Sequence, residues 1–134
     1  MFVNAEEKQS SMVIGKMLAA SMFDNSLEAV EKRLGKFNQN DSWNLYGWEE
    51  NGEMVGICGF EVHSNKVTIL NIAVAETARG QGVGRKMVVA LRQKFQMPIY
   101  AETDDDAVGF YRKCGFEVTE TQRHGVRRWS CVLI

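Results

Sequence analysis

Ile72-Ala73-Val74-Ala75-Glu76-Thr77-Ala78-Arg79-Gly80-Gln81-Gly82-Val83-Gly84-Arg85 leads out of an apolar, strand-like segment and into an amphipathic helical one. Gly80, Gly82 and Gly84 alternate just where the helical periodicity begins. Glycine lets backbone N–H groups approach a ligand closely and adopts conformations closed to other residues. A helix N-terminus adds unpaired N–H donors and a favourable dipole. Together they make an anion site that suits a pyrophosphate, with Arg79 and Arg85 adding charge beside it.

Upstream of the loop, residues 66–75 (Lys-Val-Thr-Ile-Leu-Asn-Ile-Ala-Val-Ala) are nearly continuous in apolar character, as for a central strand buried on both faces. Residues 43–49 and 53–62 read as two earlier strands joined by Asn51-Gly52, a hairpin signal because both positions tolerate positive φ. Ser64-Asn65 is a further turn candidate, which makes the three strands a meander. Two helices precede them, over 5–22 and 26–37, the second striped by Leu27, Val30, Leu34 and Phe37 and entered through Ser26. Downstream, 83–95 reads as a helix with Val83, Met87, Leu91 and Phe95 on one face. A strand follows over 99–102, then a helix over 105–113 with acidic residues at its start and Arg112-Lys113 at its end, matching the helix dipole. Strands at 116–122 and 127–133 close the chain around a His124-Gly125 turn. The order is that of a mixed α/β domain, and if the strands of 66–102 are parallel their connection is a right-handed crossover.

The 134 residues favour one domain spanning 1–134, without linker, repeat or low-complexity segment. A net charge of -1 argues against a nucleic-acid partner, which requires a basic surface. No apolar run is long enough to span a bilayer, and no basic-then-apolar leader is seen, so neither a membrane partner nor secretion is expected. Cys58, Cys114 and Cys131 are odd in number and widely spaced, which suits reduced thiols in the cytoplasm better than a disulfide framework or a metal site; no metal is expected. Cys58 and Cys131 fall in strands and read as small core residues.

Other phosphate loops fit less well. Arg85 stands where a P-loop or a dinucleotide fingerprint requires its last glycine. A dinucleotide fold would also want an acidic residue near Glu102, but antiparallel hairpins precede the loop here. A glycine-rich turn serving only chain geometry fits three alternating glycines between two arginines less well. Ile72-Ala73-Val74 followed by Arg79-Gly80-Gln81-Gly82-Val83-Gly84 resembles the signature of the GNAT superfamily of acyl-CoA N-acyltransferases, Gln/Arg-x-x-Gly-x-Gly/Ala after a central strand. Ala107-Val108-Gly109-Phe110-Tyr111-Arg112-Lys113-Cys114-Gly115-Phe116 resembles the family's later segment, in which Tyr precedes a Gly-Phe pair. The specific resemblance covers residues 66–117.

The resemblance implies a mixed, mostly antiparallel central sheet with a splayed pair of parallel strands, flanked by helices. It implies acetyl-CoA as cosubstrate, the backbone of the Ile72-Ala73-Val74 segment holding the pantetheine arm, and Arg79, Gly80, Gln81, Gly82, Val83, Gly84 and Arg85 cradling the pyrophosphate. It implies direct attack of a primary amine, of a small molecule or a peptide, on the thioester, with a backbone N–H near Ile72 facing the oxyanion and Tyr111 protonating the leaving thiolate. A homodimer is among the assemblies it allows. Asp104 stands where relatives often have an Asn that contacts the pantetheine or the neighbouring chain; as a carboxylate it cannot donate from its side chain, and it also suits a helix cap. Phe110 reads as the better core candidate beside Tyr111.

A general base is not evident. Relatives carry Glu or His on the central strand where this chain has Thr68 and Leu70. Glu61, His63 and Glu102 on flanking strands are the other candidates, or a water chain. The acidic run Glu102, Asp104, Asp105 and Asp106 either attracts a cationic acceptor or forms a dipole-matched helix start. Met22, Phe23, Asp24, Arg123 and His124 are candidate acceptor-lining residues. The few residues ahead of the first helix leave the family's usual first strand truncated or absent. The lack of a strand base also keeps open a non-catalytic acyl-CoA sensor on the same fold.

Overall fold

The computed structural model describes residues 1–5 and 11–134. Its elements are β1 (Phe2–Asn4), α1 (Ser11–Ala19), α2 (Leu27–Gln39), β2 (Trp43–Glu50), β3 (Glu53–Val62), β4 (Val67–Val74), a 3-10 turn (Glu76–Ala78), α3 (Val83–Phe95), β5 (Ile99–Thr103), α4 (Val108–Lys113), β6 (Glu117–Arg123) and β7 (Val126–Leu133). One seven-stranded sheet runs in the order β1-β2-β3-β4-β5-β7-β6. Every neighbouring pair is antiparallel except β4–β5, which is parallel and bridged by α3. The mostly antiparallel α/β sheet with one parallel pair is the architecture the sequence motifs imply.

Local chemistry explains the turns. Asn51 and Gly52 both take positive φ, 53° and 79°, so β2 and β3 are joined by the tight hairpin expected of that pair. His124 and Gly125 do the same between β6 and β7. Ser26 caps α2 by accepting from the Ala29 N–H at 3.2 Å. Asp104 accepts from the Ala107 N–H at 2.9 Å and holds residues 105–107 as a turn, so α4 begins at Val108 rather than at 105. A short first strand is present: β1 pairs with β2 at the sheet edge, and Phe2 packs against Tyr46, Trp48 and Phe60. Residues 6–10 of the first predicted helix lie outside the described residues.

The sheet separates two cores. On one face, α1 and α2 cover Leu45 and Ile57 with Ile14, Leu18, Val30 and Phe37. On the other, α3 and α4 bring Met87, Leu91 and Tyr111 onto Cys58, Phe60, Val67, Ile99 and Cys131. Each fully buried side chain of Leu, Ile or Phe size stabilises the fold by about 1.5–3 kcal/mol. Cys58 and Cys131 are fully buried, as their strand positions suggest, and burial pushes the Cys58 thiol up to about 12.

One irregularity positions everything that follows. The β3–β4 register passes from Gly59↔Asn71 directly to Phe60↔Ile69, which makes Leu70 an extra residue on β4. A one-residue shift reverses the sides of the strand on which later residues fall. Leu70 therefore packs toward α1 and α2, Asn71 also reaches that face, and Ile69 and Ile72 lie on the opposite one. Parallel pairing of β4 with β5 stops at the same place: Val67↔Ile99 and Thr68↔Tyr100 are its only rungs.

Opposite the bulge, a Cβ added at Gly59 would collide with the Phe37 ring and come within 3.4 Å of Leu45 Cδ1. Gly59→Ala should lower unfolding stability by about 1–3 kcal/mol, with Phe37→Leu in the same chain recovering part of the loss. Urea midpoints measure both; a midpoint unchanged by Gly59→Ala would show that the α2–β3 contact yields without strain.

Candidate active site

The gap between diverging β4 and β5 opens into a cavity of about 370 Å³. Its walls come from both strands, from the loop after α1 and from α4, and include Leu70 through Val74, Thr103, Asp104, Phe110 and Tyr111. The backbone of β4 supplies part of the polarity. The Ala75 N–H donates to Val55 O at 2.9 Å, so that residue faces β3. Alternation along the strand then turns the N–H and C=O groups of Ile72 and Val74 toward the side where β5 has withdrawn. The Val74 carbonyl accepts from Arg79 Nε at 3.3 Å.

Two further clefts, of about 220 and 500 Å³, flank the Val74 end of the strand, and the larger one contains the glycine loop. Gly80 and Gly82 have φ of 80° and 79°, with open space where a Cβ would sit. Gly82 is the N-cap residue of α3, so the helix begins with unpaired N–H groups directed at that space. Gly84 serves a different purpose: a Cβ there would lie 2.7 Å from Phe110 Cε1. The first two glycines are required by backbone conformation, the third by the approach of α4. Arg79 and Arg85 line the cleft, and Arg85 Nη1 donates to Lys113 O at 3.3 Å. Lys113 and Cys114 also line it, and neither stood out in the sequence. Val83 is buried with its side chain in the core, and the Gln81 side chain turns back to Thr77 O at 3.5 Å. Val74, Gly84 and Phe110 are shared by the cavity and the loop cleft.

Phe110, expected to be the better core residue of the pair, is the less buried of the two. Tyr111 is only 5% exposed and belongs to the core, its ring 5.1 Å from Phe110 and 5.2 Å from Phe116. Phe110 is half-buried, in contact with the glycine loop. The α4 helix is short, and the Tyr111 ring also lines the cavity. Burial first, and neighbouring thiols second, push the phenol well above its ordinary value, so it keeps its proton throughout the neutral range.

The charged groups are largely committed. Glu102 accepts from Arg123 Nη2 at 2.7 Å and from Arg128 Nε at 3.1 Å, and the Arg123 hydrogen bond leads in holding its carboxyl below the usual range. Asp105 accepts from Arg127 Nη2 at 2.6 Å and from the Trp129 indole at 2.7 Å. Arg112 lies over the same indole at 5.0 Å. Of the acidic run expected either to attract a cation or to start a helix, Glu102 and Asp105 are paired with arginines of the last hairpin, and Asp104 caps the turn before α4. Arg123 is spent on Glu102, and His124 forms the turn. Glu61 and His63 pair with each other at 3.3 Å and lie outside the cavity wall. Of the three residues expected from the α1–α2 loop, Phe23 reaches the wall; Met22 packs on the α1–α2 core, and Asp24 accepts from the Ser26 N–H.

Four polar residues of the wall, Ser21, Asn71, Thr103 and Arg128, escaped the sequence reading. Asn71 is 6% exposed, and its Nδ2 donates to Ser21 Oγ at 2.9 Å. The available signal was a single Asn within an apolar strand, but the bulge that turns it toward Ser21 has no sequence marker. Arg128 also lines the cavity.

The profile of the acetyltransferase (GNAT) domain matches residues 41–118. An uncharacterized N-acetyltransferase of Bacillus methanolicus is 26% identical over 96 residues, 68% of this chain and 76% of that one. Among solved structures, a GNAT-family acetyltransferase from Desulfovibrio desulfuricans superposes with a TM-score of 0.80 at 14% identity, covering 99% of this chain and 97% of the other. A Bacillus subtilis acetyltransferase in complex with CoA gives 0.68 at 19% identity, with 93% of each chain covered.

The Glu102 clamp has a pH signature. Its folded value lies below the ordinary 4.5, so its contribution to stability is complete above that pH and is lost as pH falls through the folded value. Glu102→Gln should lower the melting temperature at pH 6, and the difference from the parent should shrink steadily toward pH 3. A difference that stays constant over that range would mean that the two arginines do not stabilise the carboxylate.

Proposed function

The chain belongs to the GNAT acetyltransferase family, and from that premise we propose that it moves an acetyl group from acetyl-CoA to a primary amine of a small molecule or peptide by direct attack. The observation that carries this reading is the continuity of the glycine-loop cleft with the cavity where β4 and β5 part, through Val74, Gly84 and Phe110. Acetyl-CoA supplies an activated acyl carbon. The loop from Arg79 to Arg85 fits its pyrophosphate, because Gly80 and Gly82 leave backbone N–H groups open and two guanidinium groups stand beside them. The backbone of Ile72 and Val74, with Ala73 between them, fits the pantetheine amides; Val74 offers its N–H, and its carbonyl becomes available when Arg79 Nε releases it. Asp104 holds the turn before α4 and bounds the cavity rather than donating to a ligand.

In the step itself the amine nitrogen bonds to the thioester carbon, the C–S bond breaks, and the sulfur takes the Tyr111 proton; the new amide nitrogen loses a proton to water, and Tyr111 regains one from water. Burial raises the tyrosine, which makes it a weaker acid in the resting protein. The same dry surroundings raise a thiol, as they do Cys58, so a thiolate formed there is a stronger base and the mismatch narrows. Tyr111→Phe keeps the ring packing and should reduce turnover by about 10²–10⁴ while acetyl-CoA affinity stays nearly constant; unchanged turnover would remove the hydroxyl from this role.

Because Glu102 is committed to arginines and Thr68 and Leu70 are not bases, the acceptor is best read as an amine that reaches the cavity unprotonated. Peptide α-amines, with pKa of about 7.7–8.0, meet this condition at neutral pH far better than lysine-like amines near 10.4. Thiol release across an amine panel should rise with pH in step with each amine's free-base fraction. Acetyl-CoA binding by calorimetry tests the donor: Gly82→Asp should abolish it through steric block and repulsion of phosphate. A parent chain that binds acetyl-CoA but releases no thiol with any amine would favour an acyl-CoA sensor, and one that binds none would overturn the reading.

A further inference from the structure

Among the described residues, Asn71 Oδ1 is the buried side-chain nitrogen or oxygen without a hydrogen-bond partner. The rest of the local network fixes what this atom can accept. Ser21 Oγ donates its single hydrogen to Leu18 O at 2.7 Å, so toward Asn71 it can only accept. In that arrangement the amide nitrogen faces Ser21. The other end of the amide is an oxygen, buried and in need of a donor. An orphaned buried acceptor costs about 1–3 kcal/mol, and Asn71 lines the cavity beside Ile72 and Tyr111.

We infer that Asn71 Oδ1 receives an N–H of the acceptor amine and positions its lone pair for attack, with Ser21 holding the amide in the required orientation. The inference rests on the acetyltransfer reading above. It also separates two roles for this side chain: an oxygen acceptor cannot stabilise the oxyanion of the tetrahedral intermediate, so Asn71 acts on the amine and not on the acetyl group. The bulge at Leu70 makes this possible, since without it Asn71 would point into the apolar α3 face.

A positioning residue that leaves an atom unpaired at rest differs in stability from a structural one. Asn71→Leu keeps the branching at Cγ, removes the orphan and gives up the Ser21 bond. We expect its melting temperature to equal or exceed the parent's, its acetyl-CoA dissociation constant to stay within about twofold, and its kcat/KM for alaninamide and propylamine to fall about tenfold or more, mainly through KM. Ser21→Ala leaves Asn71 in place but frees its amide, and should lower the same kcat/KM about threefold. A drop of several degrees in Tm with kcat/KM unchanged would overturn the inference and make Asn71 a tie between β4 and the α1–α2 loop. Failure of Asn71→Leu to fold would also count against it, and Ser21→Ala with unchanged amine kinetics would remove the orienting role. A parent that binds no acetyl-CoA, or that acetylates neither amine, overturns the acetyltransfer reading itself; intact transfer by a folded Asn71→Leu overturns only the assignment of Asn71.

Discussion

The additional residue at Leu70 is the constraint on which this molecule depends. A sheet pairs its strands as far as backbone geometry permits, and β4 and β5 part because the bulge bends β4 after two parallel rungs. The interruption leaves backbone donors and acceptors of Ile72 and Val74 unpaired by the sheet, and it opens the space between the strands. It also rotates Asn71 to the α1–α2 face. A single local irregularity therefore creates the cavity, supplies its backbone polarity and determines which side chain enters from each face.

The last hairpin does a different job. Arg123, Arg127 and Arg128, with Trp129, hold the carboxylates of Glu102 and Asp105. These bonds join β6 and β7 to the end of β5 and to the turn before α4, on the side of the cavity away from the bulge. They lie at partly exposed positions, where an isolated ion pair contributes little; their effect comes from several charges sharing one network. The network keeps the far wall from moving outward while the near wall is defined by the bulge.

Much of the fold was legible from residue patterns because those patterns follow local physics. Asn51-Gly52 and His124-Gly125 required turns, Ser26 required a cap, and the apolar periods of 83–95 and 66–75 required a helix and a central strand. The glycine loop was legible for the same reason, since alternating glycine before a helix has few physical purposes. What could not be read was set by tertiary contacts. The bulge at Leu70 depends on how β3 and β4 align, so the polar Asn71 looked like one more strand residue. Tyr111 and Phe110 are adjacent aromatics, and which one turns inward is decided by the Gly84 contact rather than by the sequence of α4. Glu102 looked available because its arginine partners lie more than twenty residues away in the chain.

The contact between Gly84 and the Phe110 ring joins the start of α3 to α4. The loop that opens one helix and the tyrosine carried by the other are thereby set at a fixed spacing by two rigid elements touching directly. That spacing acts as a ruler. On the proposed acetyltransfer reading, a thioester whose anionic end and reactive end are separated by the right length would occupy both places together, whereas one with a shorter or missing anionic arm would occupy only one. On that reading, selection for the length of the donor would come from the framework itself, without a side chain assigned to measure it.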